Sequence, residues 1–193
     1  NLWNGLERDR ESAVCNFCDT DFVGMDGVMG GRHTSAASLG NSICTLWPKS
    51  CSAPRLAVFT GGEPLLQKEC IPLIDRLLSK GFKVMLETGG SLPIKDVPDK
   101  VIKIIDFKCP YSKMDKKNLW SILDDMTDQD EIKFVIGNRE DYDWAKERIK
   151  EYSLTDKWTV LFSCVFDHLK YETLAGWILE DGLDVRFQVQ MHK

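Results

Sequence analysis

Two short stretches hold side chains whose types and spacing can do chemistry. In Cys15-Asn16-Phe17-Cys18-Asp19-Thr20 two thiolates stand two residues apart, a spacing that grips one metal ion or one cluster, and equally one that closes a redox disulfide. In Thr60-Gly61-Gly62-Glu63-Pro64 a glycine pair offers bare backbone to whatever presses close, and one carboxylate follows. A thioredoxin-like pair sits at a strand-to-helix junction, whereas this one runs into a glycine-rich stretch. Structural zinc wants four ligands, and the nearby His33, Cys44 and Cys51 follow no ribbon or finger spacing. On the residues alone, zinc, a disulfide and a cluster all stay open.

These groups need a scaffold, and the hydrophobic pattern supplies one. Apolar, β-rich runs at Leu56–Thr60, Lys83–Glu87, Ile102–Phe107, Glu131–Ile136, Thr159–Ser163 and Asp184–Gln188 read as strands. Helical stripes alternate with several of them: Ile71, Ile74 and Leu78 before Gly81; Tyr142, Ala145, Ile149 and Tyr152; and Leu174, Trp177 and Ile178 before Gly182. A further helix over 34–47, with Ala37, Ile43 and Leu46 as its apolar stripe, precedes the first strand and stops at Pro48. Residues 1–33 lack periodicity and carry Gly24, Gly27, Gly30 and Gly31, so they read as a long functional loop. The expected fold is α/β, a largely parallel sheet left open or curled into a partial barrel. Thr60 to Glu63, Glu87-Thr88-Gly89-Gly90, Lys108-Cys109-Pro110 and Ser163 then fall at strand carboxyl ends, where such sheets bind ligands.

Composition narrows the class. A chain of 193 residues, 43% hydrophobic and 28% charged, is long enough for one substantial core. Its 25 basic and 30 acidic residues give a net charge of -5, which disfavours a broad nucleic-acid footprint. No apolar run reaches the length of a membrane span and no secretory pattern stands at the first residues, which fits a cytoplasmic enzyme. Seven cysteines, an odd number, argue for reduced thiols. Cys44, Cys51, Cys70 and Cys164 read as core or loop residues, and Cys109 is open.

With those residues in view, the chain resembles the radical S-adenosylmethionine enzymes, and within them the 7-carboxy-7-deazaguanine synthase family. The likeness runs through Cys18-Asp19-Thr20-Asp21-Phe22, Gly30-Gly31-Arg32, Thr60 to Gln67, Glu87-Thr88-Gly89-Gly90, Asp106-Phe107-Lys108-Cys109-Pro110 and Gln190-Met191-His192-Lys193. The resemblance implies a partial parallel β/α barrel in a single core domain spanning 1–193, with 1–33 as its cluster-binding region. It makes Cys15 and Cys18 two of three ligands to a 4Fe-4S cluster and sets the third immediately before Asn1, so that the chain starts one residue late. Family members also continue a few residues past the His-Lys pair. Phe17 is implied to pack on the adenine of S-adenosylmethionine, and Gly61, Gly62 and Glu63 to receive its methionyl amine. Glu87, Asp106, Lys108 and Ser163 are implied contacts to its ribose and carboxylate. Glu63 and Lys108 also carry a plainer reading, each as a member of an ordinary ion pair. Thr20 resembles the family's Mg2+ ligand, and Thr60 and His192 its substrate contacts. Where family members have Asn after the strand bearing Glu87, this chain has Gly89-Gly90.

The implied reaction begins when the reduced cluster cleaves S-adenosylmethionine to methionine and a 5′-deoxyadenosyl radical, so no protein side chain is the catalyst. The implied substrate is 6-carboxy-5,6,7,8-tetrahydropterin, which loses ammonia and contracts its ring to 7-carboxy-7-deazaguanine, a step of queuosine-type biosynthesis by a lyase. A flavodoxin-type electron donor and a homodimer are implied partners, with neither nucleic acid nor membrane. Two other readings are weighed: another radical enzyme of the same superfamily, such as a glycyl-radical activator, and a zinc-stabilised binding module without catalysis.

Overall fold

The computed structural model describes residues 34–47 and 52–189. Six parallel strands form one sheet in strictly sequential order: β1 (Leu56–Phe59), β2 (Lys83–Thr88), β3 (Ile102–Phe107), β4 (Glu131–Ile136), β5 (Thr159–Cys164) and β6 (Arg186–Phe187). Helix α1 (Ala36–Leu46) precedes β1, α2 (Cys70–Ser79) joins β1 to β2, α3 (Arg139–Tyr152) joins β4 to β5, and α4 (Tyr171–Asp181) joins β5 to β6. Right-handed crossovers in an order without reversal all fall on one face of the sheet. Among the described residues the other face carries no helix, and β1 and β6 are the sheet's edge strands. This is the open partial barrel that the alternating pattern predicts.

One set of alternate strand residues packs under the helices. Leu86, Phe107, Phe134 and Phe162 join Ile74 and Leu77 of α2, Tyr142, Ala145 and Ile149 of α3, and Leu174 and Ile178 of α4 in one core. Each large apolar side chain so buried is worth about 1.5–3 kcal/mol over exposure. Aromatic rings fill the β3 to β4 region, where the chain uses short 3-10 turns instead of a helix: Phe107 stacks on Trp120 at 4.3 Å, and Trp120 on Tyr152 at 4.5 Å. The predicted stops hold, since Gly81 and Gly182 follow α2 and α4 with φ of 79° and 57°. Asn138 caps α3 by accepting from the Asp141 amide at 2.9 Å.

Four expectations shift, the simplest being β1, which ends at Phe59 and leaves Thr60 outside the strand. In α1 the buried positions are Ala36 and Gly40, with Ile43 and Cys44 half-buried, while Leu46 is 79% exposed. The helix turns its small residues inward because α2 packs close there. Strands β2 and β5 run one residue further than the pattern predicts, to Thr88 and Cys164, because their ladders continue to Thr88↔Ile105 and Ile136↔Cys164. Strand β6 keeps only two residues, paired with Leu161 and Phe162 of β5. Among the described residues no helix is long and apolar enough to cross a membrane.

Candidate active site on the open face

Register and alternation settle which side chains share the helix-free face. Neighbours in a parallel ladder point the same way, and so do residues two apart on one strand. Glu87 pairs with Ile104, two residues before Asp106; Asp106 pairs with Lys133; and Val135, two residues on, pairs with Ser163. Glu87, Asp106, Lys133 and Ser163 therefore line one face of four adjacent strands. Their alternation partners, among them Leu86, Phe107, Phe134 and Phe162, belong to the core on the other side. Glu87, Asp106 and Ser163 are thus strand residues on that face and not members of the following loops.

Glu63 closes the β1 end of this face. It is 3% exposed, and its carboxylate accepts from the Leu65 amide at 3.1 Å, the Thr88 hydroxyl at 2.9 Å and the Gly89 amide at 2.8 Å. The plainer ion-pair reading of Glu63 gives way to this clamp, which ties the loop after β1 to the end of β2. Ahead of it Gly61 adopts φ 134°, and a Cβ built there meets nothing within 4 Å among the described residues. The Gly61-Gly62 backbone thus borders open space that a ligand can enter closely. Gly90 has φ 67°, and a Cβ there would lie 3.1 Å from the Phe107 ring. The turn needs glycine for both reasons.

Asp106 and Lys108 form the middle of the site. Lys108 Nζ lies 2.8 Å from Asp106 Oδ2, so the plainer reading of Lys108 as an ion-pair member holds, with Asp106 as partner. Burial opposes ionisation of Asp106, but the Lys108 and Lys133 ammonium groups outweigh it and hold the carboxyl below the usual aspartate value. Asn118 fixes the Lys108 backbone from both sides, accepting from its amide and donating to its carbonyl, each at 2.9 Å. The other carboxylate oxygen, Asp106 Oδ1, is buried with no hydrogen-bond partner among the described residues, and so is Ser163 Oγ on a fully buried residue. Buried polar atoms are rarely left so unless a water, ion or ligand completes them. These two atoms and the free backbone at Gly61 fit a polar ligand along the strand ends.

Thr60 is exposed directly after β1, beside that space. Cys15, Phe17, Cys18, Thr20 and His192 lie outside the described residues, as do His33 and Cys51. Among the described residues no group of three His, Cys, Asp or Glu is placed to hold a metal ion. Cys109 is buried, and burial drives its thiol well above its usual range; Cys70 and Cys164 are pushed up to about 11, again by burial. None of the three is poised as a thiolate. His168 is exposed and stacks on Tyr111 at 4.6 Å. Sequence reasoning missed Asn118 and Lys133 and passed over Thr88 and Gly89 as partners of Glu63. Only Lys133 left a signal, the alternation of Glu131, Lys133 and Val135 against Ile132, Phe134 and Ile136.

No family model matches the chain. Over 193 aligned residues it is 38% identical to a 7-carboxy-7-deazaguanine synthase of Koribacter versatilis, a match that covers 93% of this chain and 81% of that protein. A 7-carboxy-7-deazaguanine synthase of Chlorobaculum tepidum is 34% identical over 182 residues, covering 93% of this chain and 78% of its own length. The crystal structure of QueE from Escherichia coli superposes with a TM-score of 0.68 at 19% identity, over 92% of this chain and 80% of that one, a likeness of fold.

Proposed function

The chain belongs to the 7-carboxy-7-deazaguanine synthase family, and from that premise we propose that it converts 6-carboxy-5,6,7,8-tetrahydropterin to 7-carboxy-7-deazaguanine with release of ammonia. It is an enzyme of the radical S-adenosylmethionine class, a lyase acting on a small molecule, and its cofactors are a 4Fe-4S cluster and S-adenosylmethionine. When bound, these supply one-electron cleavage of the sulfonium and the hydrogen abstraction that follows.

The protein's own work is binding, orientation and exclusion of water. In our reading Gly61 and Gly62 give their backbone to the methionyl amine. Glu63, already holding three donors, acts by fixing the shape of that backbone and adds the negative charge an ammonium group favours. Asp106 Oδ1 accepts from a ribose hydroxyl, Ser163 Oγ meets a polar group one strand beyond Lys133, and Glu87 borders the same ligand. Lys108 keeps Asp106 ionised and aimed and also meets the ribose or carboxylate of S-adenosylmethionine. Thr60 and His192 touch the pterin, while Cys15, Cys18, Phe17 and Thr20 serve cluster, adenine and Mg2+ from a cluster-binding region over 1–33 of a single core domain. Mg2+ with oxygen ligands would offset the substrate carboxylate. A flavodoxin-type donor, a homodimer and a cytoplasmic setting complete the reading. The observation that carries the site is the pair of buried, unpartnered atoms, Asp106 Oδ1 and Ser163 Oγ, on the open face at the strand ends.

The test is turnover by the full-length protein, reconstituted with iron and sulfide without oxygen and reduced. The expected result is 7-carboxy-7-deazaguanine and ammonia in equal amounts from the carboxytetrahydropterin. Cleavage of S-adenosylmethionine with the pterin untouched would keep the chemical class and remove the substrate. A peptide glycine as target would favour an activating enzyme, and saturation by zinc with no acid-labile sulfide would favour a binding module.

A further inference from the structure

One charged side chain on the helix-free face has so far been given only a through-space effect on Asp106. Lys133 sits half-buried in the middle of β4, between its ladder neighbours Asp106 on β3 and Leu161 on β5. Among the described residues its ammonium makes no hydrogen bond or ion pair, whereas Lys103, Lys108 and Lys146 each pair with an aspartate. Asp106 does not discharge it, because the Asp106 carboxylate is already paired with Lys108. The face therefore carries at this point an ammonium that acts on Asp106 only through space and has its own hydrogen-bond donors unspent. Glu131, two residues back on β4, is itself engaged by Arg186 at 3.2 Å.

The neighbours of Lys133 say what kind of ligand it awaits. Asp106 Oδ1 and Ser163 Oγ are both buried and unpartnered, one on the strand before and one on the strand after. From strand and residue spacings, the line from Asp106 through Lys133 to Ser163 spans on the order of 12 Å. Asp106 Oδ1 can only accept, Ser163 Oγ can donate or accept, and Lys133 can only donate and brings a full charge. A ligand that completes all three presents a hydroxyl or amine at one end and an anion beside it. A compact ammonium matches a carboxylate through charge-assisted hydrogen bonds.

We propose that Lys133 is a carboxylate-binding residue of this face, receiving the carboxylate of a ligand whose hydrogen-bond donor rests on Asp106. The inference rests on reading the chain as an S-adenosylmethionine-dependent synthase, which offers two such groups, the methionyl carboxylate and the 6-carboxylate of the pterin. The chemistry asked of Lys133 is the same for either.

The experiment measures binding to the full-length, cluster-loaded enzyme. The four ligands are S-adenosylmethionine, decarboxylated S-adenosylmethionine, 6-carboxypterin and pterin, each by equilibrium dialysis. Lys133→Met should weaken a carboxylate-bearing ligand by about 10- to 100-fold, the range of a lost charge-assisted bond. The matching ligand without a carboxylate should stay within about twofold, and Lys133→Arg should recover most of the loss. A loss confined to S-adenosylmethionine assigns the methionyl carboxylate, and a loss confined to 6-carboxypterin assigns the pterin. Equal weakening of carboxylated and uncarboxylated forms, or no weakening at all, overturns the inference. Lys133→Gln gives the same reading should the methionine variant fail to fold. Wild-type protein that binds neither carboxylated ligand sinks the functional reading together with the inference. Wild-type binding with an indistinguishable Lys133→Met sinks the inference alone.

Discussion

The two faces of the sheet are built from the same six strands and obey opposite rules. Under the helices, buried charge is met by opposite charge, although the Lys103 ammonium, like Arg76 Nε and Arg148 Nε on the helices, makes no hydrogen bond of good geometry among the described residues. The single Tyr142 hydroxyl proton is shared between the Trp177 carbonyl at 2.8 Å and Asp181 at 2.9 Å. Lys103, 1% exposed, lies 3.0 Å from Asp130, which also accepts from the Lys103 and Thr127 amides. On the open face, Asp106 and Ser163 keep buried atoms without partners, and Lys133 keeps its charge. A fold stabilised only by its own contacts gains nothing from such groups, since each orphaned buried atom costs about 1–3 kcal/mol. The packed face neutralises its one buried ammonium with Asp130, whereas the helix-free face keeps an acceptor and a hydroxyl that a ligand can complete. That difference locates function more sharply than any one motif.

The largest effect belongs to the packed face. Asp130→Ala leaves the Lys103 ammonium buried with no counter-charge and should cost about 3–5 kcal/mol in denaturant unfolding. A cost under 1 kcal/mol would mean that the pair matters less than its burial suggests. Next comes the clamp between the faces. Glu63→Ala orphans the Leu65 and Gly89 amides and the Thr88 hydroxyl, and should cost about 2–3 kcal/mol and weaken S-adenosylmethionine binding at least tenfold, read by dialysis. Normal binding in a destabilised variant would confine Glu63 to a structural part.

Removing one hydroxyl from each face sharpens the contrast further. Tyr142→Phe should lose about 1 kcal/mol and leave ligand affinity alone. Ser163→Ala should leave stability unchanged or raise it by up to about 1 kcal/mol while weakening the ligand. The opposite sign for Ser163 would show that its hydroxyl already has a partner in the free protein.

The smallest effect is in pH. Because the Asp106 carboxyl is held below its ordinary value of about 3.9, its contribution to stability is fully present above that value and is lost as pH falls through its folded value. Stability should therefore rise with pH less steeply in Asp106→Asn than in wild type below about pH 4, and equally above it. Matching slopes across that range would remove the Lys108 and Lys133 field from the account.

The sequence made the frame legible because strand and helix periods differ. Ile102–Phe107 and Glu131–Ile136 were placed to the residue, and Gly81 and Gly182 marked true helix ends. The site was legible where short motifs sit at strand ends, as at Gly61 to Glu63. The clamp of Glu63 on Thr88 and Gly89 was not, because it joins residues 25 and 26 positions apart through a register no local pattern encodes. Asn118 escaped for the same reason, reaching back ten residues to Lys108. In α1 the pattern misled: the apolar Leu46 is exposed and Gly40 is buried, because close packing on α2 selects small side chains over large ones.

The most direct test of the central claim is a crystal structure of the full-length enzyme grown without oxygen with its cluster, S-adenosylmethionine and the carboxypterin. The account predicts Asp106 Oδ1 and Ser163 Oγ within about 3 Å of polar atoms of the bound molecules, with Gly61 and Gly62 against the methionyl amine. Ligands seated elsewhere, with both atoms still unpartnered on an empty face, would contradict it.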